Sequence, residues 1–130
     1  MKIQATFEIE DNRIETLFVS ALEGGSNYWY WLNDDSISSV RNIVSRDEDP
    51  CYSTAIWTAI KRGAHIPIYD AEDYNADPLG TVTQESVKSA LEDMARDYTD
   101  HFNDLISESD DATTGDIFFQ LATMNDVHFG

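Results

Sequence analysis

One cysteine, Cys51, leaves no partner for an intrachain disulfide, so this 130-residue chain must be held by packing alone. A lone thiol also agrees with a reducing compartment. Cations are scarce: 8 Lys and Arg stand against 25 Asp and Glu, a formal charge of −17. That balance makes nucleic acid and anionic membrane poor direct partners, because both would be repelled without metal ions. No stretch reaches the roughly 18 apolar residues of a membrane span, and MKIQATFEIED carries no apolar leader, which sets the expectation of a cytoplasmic protein. A P-loop, a dinucleotide fingerprint and an internal repeat are all missing.

What is there argues for one globular domain over residues 1–130. The composition is 42% hydrophobic and 12% aromatic, enough apolar surface to offset the entropy lost on ordering. A chain this long buries roughly two-thirds of the surface its unfolded form exposes. The acid excess goes beyond what solubility asks and costs the compact state some self-repulsion. Two explanations compete: the acids face a basic partner, or they hold water and counterions in a salty cytoplasm.

The patterning predicts an α+β fold, a small mixed or antiparallel sheet packed on three or four helices. Ile3, Ala5, Phe7 and Ile9 alternate with mostly polar residues, the period of a half-buried strand. Asn12 and Glu15 read as a capping box for a helix with Ile14, Leu17, Phe18, Ala21 and Leu22 on one face. Gly24 or Gly25 ends it, since glycine alone takes a positive φ freely. Tyr28 to Trp31 read as a strand buried on both faces. Ser36 reads as the cap of a short helix using Ile37, Val40 and Val44, and Asp49 with Pro50 as the start of another using Tyr52, Ile56, Ala59 and Ile60, stopped by Gly63. AHIPIYD is a strand whose Pro67 lacks an amide donor and suggests an edge position or a bulge. A brief strand, Leu79 to Val82, precedes Thr83, the expected cap of one long acidic amphipathic helix reaching about Ser107, with Val87, Leu91, Met94, Tyr98, Phe102 and Leu105 inward. SESDDATTGD reads as an acidic loop, IFFQLATM as the last helix and DVHFG as a closing strand.

Three stretches, ALEGGSNYWY, IYDAE at residues 68–72 and the tail DIFFQLATMNDVHFG, resemble in order and spacing a family of small uncharacterised bacteriophage and prophage proteins. The resemblance covers nearly the whole chain and departs between Leu32 and Asp49 and along the long helix. It implies a phage setting, and a bacterial host cytoplasm, but carries no activity, cofactor or catalytic residue.

Two surfaces are candidate sites. Gly24, Gly25, Ser26 and Asn27 offer a backbone nest, with Tyr28, Trp29, Tyr30 and Trp31 as stacking surfaces for a planar ligand. The simpler reading is a helix stop followed by core aromatics, a corner turned into the interior. The second surface is a row of acids on the long helix. Asp93, Asp97, Asp100 and Asp104 follow spacings of four, three and four, continued by Glu108, with Asp110 and Asp111 in the next loop. Such a row imitates a phosphate backbone and suits the basic cleft of a DNA-binding protein. Its four Asp span about 16 Å, over which duplex DNA presents on the order of ten charges, so flanking acids such as Asp73, Asp77 and Asp47 to Asp49 must join it.

Other motifs fall short. Asp73, Asn75 and Asp77 alternate as in a calcium loop, but Pro78 stands where that loop needs glycine and Gln84 where it needs a bidentate Glu. His65, His101 and His128 are scattered, so no metal site and no cofactor is expected. His101 beside Asp97 or Asp104 reads as an ordinary surface histidine, Cys51 as a packing residue, and Ser26 does not lie between glycines as a nucleophile elbow requires. The sequence therefore suggests no enzyme but an accessory protein that acts by binding, its acids occupying the nucleic-acid site of a basic host protein. The alternative is a small-ligand module with an aromatic pocket and an acidity due to salt alone.

Overall fold

The computed structural model describes residues 1–73 and 75–130, so Tyr74, inside the acidic turn, lies outside the described residues. Among the described residues, six α-helices surround a three-stranded antiparallel sheet, the expected α+β class with more helices than the sequence suggests. Helix α1 spans Asp11–Ser20, α2 Asp34–Arg41, α3 Tyr52–Lys61, α4 Gln84–Asp97, α5 Thr99–Ile106 and α6 Ala112–Met124. Strands β1 (Tyr30–Trp31), β2 (Ile66–Asp70) and β3 (Gly80–Val82) lie in that order, with Tyr30 opposite Asp70 and Pro67 opposite Thr81.

Helix α6 is the centre. It is buried nearly all round, and α1, α4, α5 and β3 all pack on it. Phe18 from α1 meets the Phe118 ring edge-on at 5.1 Å and stacks on Trp57 of α3 at 6.1 Å. The apolar periodicity placed these side chains correctly: Leu17, Phe18, Ala21, Ile56, Ile60, Val87, Met94 and Leu105 are all buried. Ile37 is an exception, exposed on α2.

Local signals were met unevenly. Thr83 caps α4 as expected and forms a reciprocal box with Ser86, whose Oγ accepts the Thr83 amide at 2.9 Å. Gly63 takes φ 102° after α3, the left-handed exit that suits glycine. Glu10, not Asn12, precedes α1, and Asn33, not Ser36, caps α2 by accepting the Ser36 amide at 3.0 Å. Asp49 stands two residues before the cap instead of at it, accepting from the Cys51 amide and the Thr54 hydroxyl, while Cys51 holds the cap position of α3.

Three predicted elements are corrected. Residues 1–10 form no strand: Phe7 sets its ring edge-on to Phe102 of α5 instead of pairing with the sheet, and Met1 and Ile3 are exposed. DVHFG is no strand either, because its amides bond to the side chain of Gln120 in place of a neighbouring strand. Pro67 sits in the middle strand, not at an edge of the sheet. Its carbonyl accepts the Ser36 hydroxyl of α2 at 2.6 Å, and β1 ends before reaching it. The nitrogen of a strand residue faces the same way as its carbonyl, so the missing donor falls where no ladder bond is made.

Candidate functional site

The stretch ALEGGSNYWY turns a corner, and does so through a buried polar network. After α1 the chain widens into a π-helical turn, Ala21–Gly25, closed by the Ser26 amide on the Ala21 carbonyl at 2.8 Å. Neither Gly24 nor Gly25 has a positive φ, contrary to the expected left-handed stop. Gly25 is needed for space: a Cβ there would collide with the carbonyl of Ala112 at the start of α6.

That approach brings Asp116 under the turn. Its Oδ1 accepts from Ser26 Oγ at 2.7 Å and Trp29 Nε1 at 2.8 Å, its Oδ2 from Tyr28 OH at 2.6 Å and Gln120 Nε2 at 3.2 Å. Burial, and then the bond to Asp116, push the Tyr28 phenol up to about 12. Gln120, fully buried, also holds the tail: its Oε1 accepts the amides of His128 and Phe129, and the Phe129 ring stacks on Trp29 at 5.4 Å. The second stretch joins by the Ala71 amide bonding the Trp29 carbonyl at 2.8 Å. ALEGGSNYWY, IYDAE and the tail thus meet in one place. With four donors on its two oxygens, Asp116 is a structural acceptor with its hydrogen-bonding capacity taken up.

The eight residues read as a ligand surface do not gather. Ser26 and Trp29 are buried on Asp116, Gly24 and Asn27 are exposed, Gly25 abuts α6, and Tyr28 and Trp31 are half exposed. Tyr30 alone lines a cleft of about 440 Å³, together with Arg41, Arg46, Cys51 and Tyr52. In that cleft the Cys51 Sγ lies 3.1 Å from Ser53 Oγ, and the Ser53 hydroxyl followed by the Thr54 amide lowers the thiol below its ordinary value. Ser53→Ala is therefore expected to slow alkylation of the exposed thiol by iodoacetamide at neutral pH; a rate equal to that of the parent would contradict the geometry. Burial raises the Tyr52 and Tyr30 phenols, which donate to the carbonyls of Ser36 and Leu22.

The acidic row does not lie on one rod. The helix breaks at Tyr98, φ −128° and ψ 56°, which leaves Asp93 and Asp97 on α4 and Asp100 and Asp104 on α5. Arg96 bonds Asp93 at 2.8 Å and Asp97 at 3.0 Å. Asp100 is exposed, Asp104 half-buried, and Glu108 exposed at φ 60° just beyond α5. Two residues expected to face a partner are otherwise engaged. Asp110 is buried against Arg13 of α1, its side chain 3% exposed. Asp111 caps α6 by accepting the Thr114 amide at 3.0 Å, a bond that holds its carboxyl below the usual range.

No sequence signal foretold Arg13 with Asp110, or Asp116 with Ser26, Tyr28 and Trp29, since these partners stand about ninety residues apart. Among the described residues no group of three His, Cys, Asp or Glu side chains is arranged to hold a metal ion, and no helix is long and apolar enough to cross a membrane. His101 bonds Thr114 through Nδ1 at 3.0 Å. No family model matches the chain, and no curated protein and no solved structure matches it either.

Proposed function

We infer that this protein acts by binding, as a phage-type accessory protein whose acidic surface takes the place of a nucleic acid on a basic host protein. The observation that supports this most is where the cations go. Of the 8, Arg13, Lys61, Arg62 and Arg96 pair with carboxylates of the protein itself, and Arg41 bonds the carbonyls of Asp49 and Pro50. The remaining excess of acids has no internal counterweight, and it is carried by loops and short helices on several sides, not by a single row. An acidic field of that size steers a basic partner and repels nucleic acid.

The working surface in this reading is the exposed part of the row, Asp97, Asp100 and Glu108, joined by acids of the neighbouring loops. Reversing those three to lysine is expected to weaken competition against duplex DNA for a basic DNA-binding protein by about tenfold or more, with the melting temperature nearly unchanged, because exposed charges contribute little to stability. A reversed variant that competes as well as the parent removes this surface from the account. A melting temperature that climbs steeply with KCl, in a protein that never displaces the duplex, assigns the acids to salt adaptation instead.

A further inference from the structure

The cleft beside Tyr30 reverses the charge balance of the chain. Its lining holds two cations, Arg41 and Arg46, and one acid, Glu23, in a protein with 8 cations and 25 acids. Glu23 is already engaged, its Oε1 accepting the Ser53 hydroxyl at 2.8 Å. Neither arginine has a carboxylate within ion-pair distance among the described residues.

Arg41 is nevertheless held in place. Its Nη1 donates to the Asp49 carbonyl at 2.6 Å and its Nη2 to that of Pro50 at 3.0 Å, and the guanidinium lies over the Tyr52 ring, 5.9 Å from its centre. Those bonds occupy the end of the fork. The side edge, Nε with the second Nη2 hydrogen, has no acceptor among the described residues, and this Nε, unlike the Trp57 indole nitrogen, is not shut away from solvent. It is an edge on which a carboxylate makes two parallel bonds. A fixed guanidinium with an open edge and no carboxylate of its own is a preorganised anion site.

The rest of the lining restricts what the anion carries. Leu22, Leu32 and Ile37 are apolar, and the hydroxyls of Tyr30 and Tyr52 are used on the carbonyls of Leu22 and Ser36, so neither is free to donate to a polar body. A cleft of about 440 Å³ is of small-molecule size. Two cations less one acid leave one positive charge, which matches a monoanion and not a dianion. Exposed acids more than about 8 Å away are largely screened at physiological salt, so the local balance decides.

We propose that this cleft binds a small monocarboxylate with an apolar body, the carboxylate on the side edge of Arg41 and on Arg46, the body against Leu22, Leu32 and Ile37. The site is independent of the acidic surface and stands or falls separately from it.

Cys51 lies in the same lining and serves as the reporter. In the intact protein its alkylation by iodoacetate, an anion, is compared with that by neutral iodoacetamide, and the ratio of the two rates with the ratio for N-acetylcysteine amide. The protein's ratio is expected to exceed the model thiol's by about tenfold, against the repulsion its overall charge would impose. The monocarboxylate 3-phenylpropionate is expected to protect Cys51 saturably from iodoacetamide, and the neutral 3-phenylpropionamide to leave it open. Arg46→Gln is expected to lower the iodoacetate preference and the protection about tenfold, while Lys88→Gln, the same loss of charge outside the cleft, changes neither. Arg41→Lys keeps the charge but loses the fork, and protection is expected to fall with it. A parent ratio no higher than that of the model thiol overturns the proposal whether or not the variants fold, as does equal protection by the carboxylate and the amide. So does a Lys88→Gln effect as large as that of Arg46→Gln, which would assign the preference to net charge.

Discussion

Asp116→Ala is expected to lower unfolding stability by at least about 3 kcal/mol, because it strands the Ser26 hydroxyl and the Trp29 indole as buried donors without acceptors and takes one acceptor from the Gln120 amide. Against a typical total of about 5–15 kcal/mol that is a large fraction, visible as a fall of on the order of 10 °C in melting temperature. The effect reaches further than one side chain, since Asp116 joins the turn after α1 to the helix that carries the tail. Loss of near-ultraviolet signal from Trp29 should accompany it. A variant within about 0.5 kcal/mol of the parent in urea unfolding would mean that the network is not a source of stability.

The same network sets an alkaline limit. The Tyr28 phenol, raised to about 12 by burial and then by Asp116, donates its proton in the folded state. Its folded value lies above the unfolded 10.0, so the stabilisation it gives is whole below pH 10.0 and is lost as pH rises toward about 12. Tyr30 and Tyr52 are raised as well, so the relevant quantity is the difference between the parent and Tyr28→Phe across that window. Equal slopes in the two proteins would remove Tyr28 from the explanation.

The second large effect separates two neighbours that look alike in the sequence. Gly25→Ala is expected to cost about 2–3 kcal/mol, because the new Cβ would collide with the Ala112 carbonyl, a backbone atom at the rigid start of α6. Gly24→Ala meets nothing within 4 Å and is expected to be neutral or stabilising by up to about 1 kcal/mol, as alanine restricts the unfolded chain more than glycine does. Gly80→Ala should behave like Gly25→Ala, since its Cβ would strike the Thr123 carbonyl at the far end of α6. Urea midpoints decide the matter. If Gly24→Ala and Gly25→Ala shift together, the close approach of the turn to α6 is wrong.

These residues also mark what was legible in the sequence. Signals that act within one or two turns were readable: the Thr83 cap, the Gly63 exit, the apolar stripe from Ile14 to Leu22 and the burial of Trp29. Choices settled by a distant partner were not. The alternation of Ile3, Ala5, Phe7 and Ile9 is a strand period, but a strand also needs an open ladder, and here Phe7 found Phe102 instead. Apolar spacing carries smoothly through Tyr98, so periodicity ran α4 and α5 together; only the β-branched Thr99 followed by Asp100 hinted at a fresh helix start. The acidic row suffered for the same reason. Asp110 and Asp111 looked equivalent, yet one meets Arg13 from the other end of the chain and the other caps α6.

ALEGGSNYWY, IYDAE and the tail hold the fold, and the proposed binding falls to the exposed acids. Its most direct test is an equilibrium titration in which labelled duplex DNA, bound to a basic host DNA-binding protein, is challenged with this protein at low and at high salt. The account predicts near-stoichiometric release of the duplex at low salt, fading as salt screens the attraction and absent with the Asp97, Asp100 and Glu108 reversals. Duplex that stays bound at every ratio, with no complex formed between the two proteins, contradicts it.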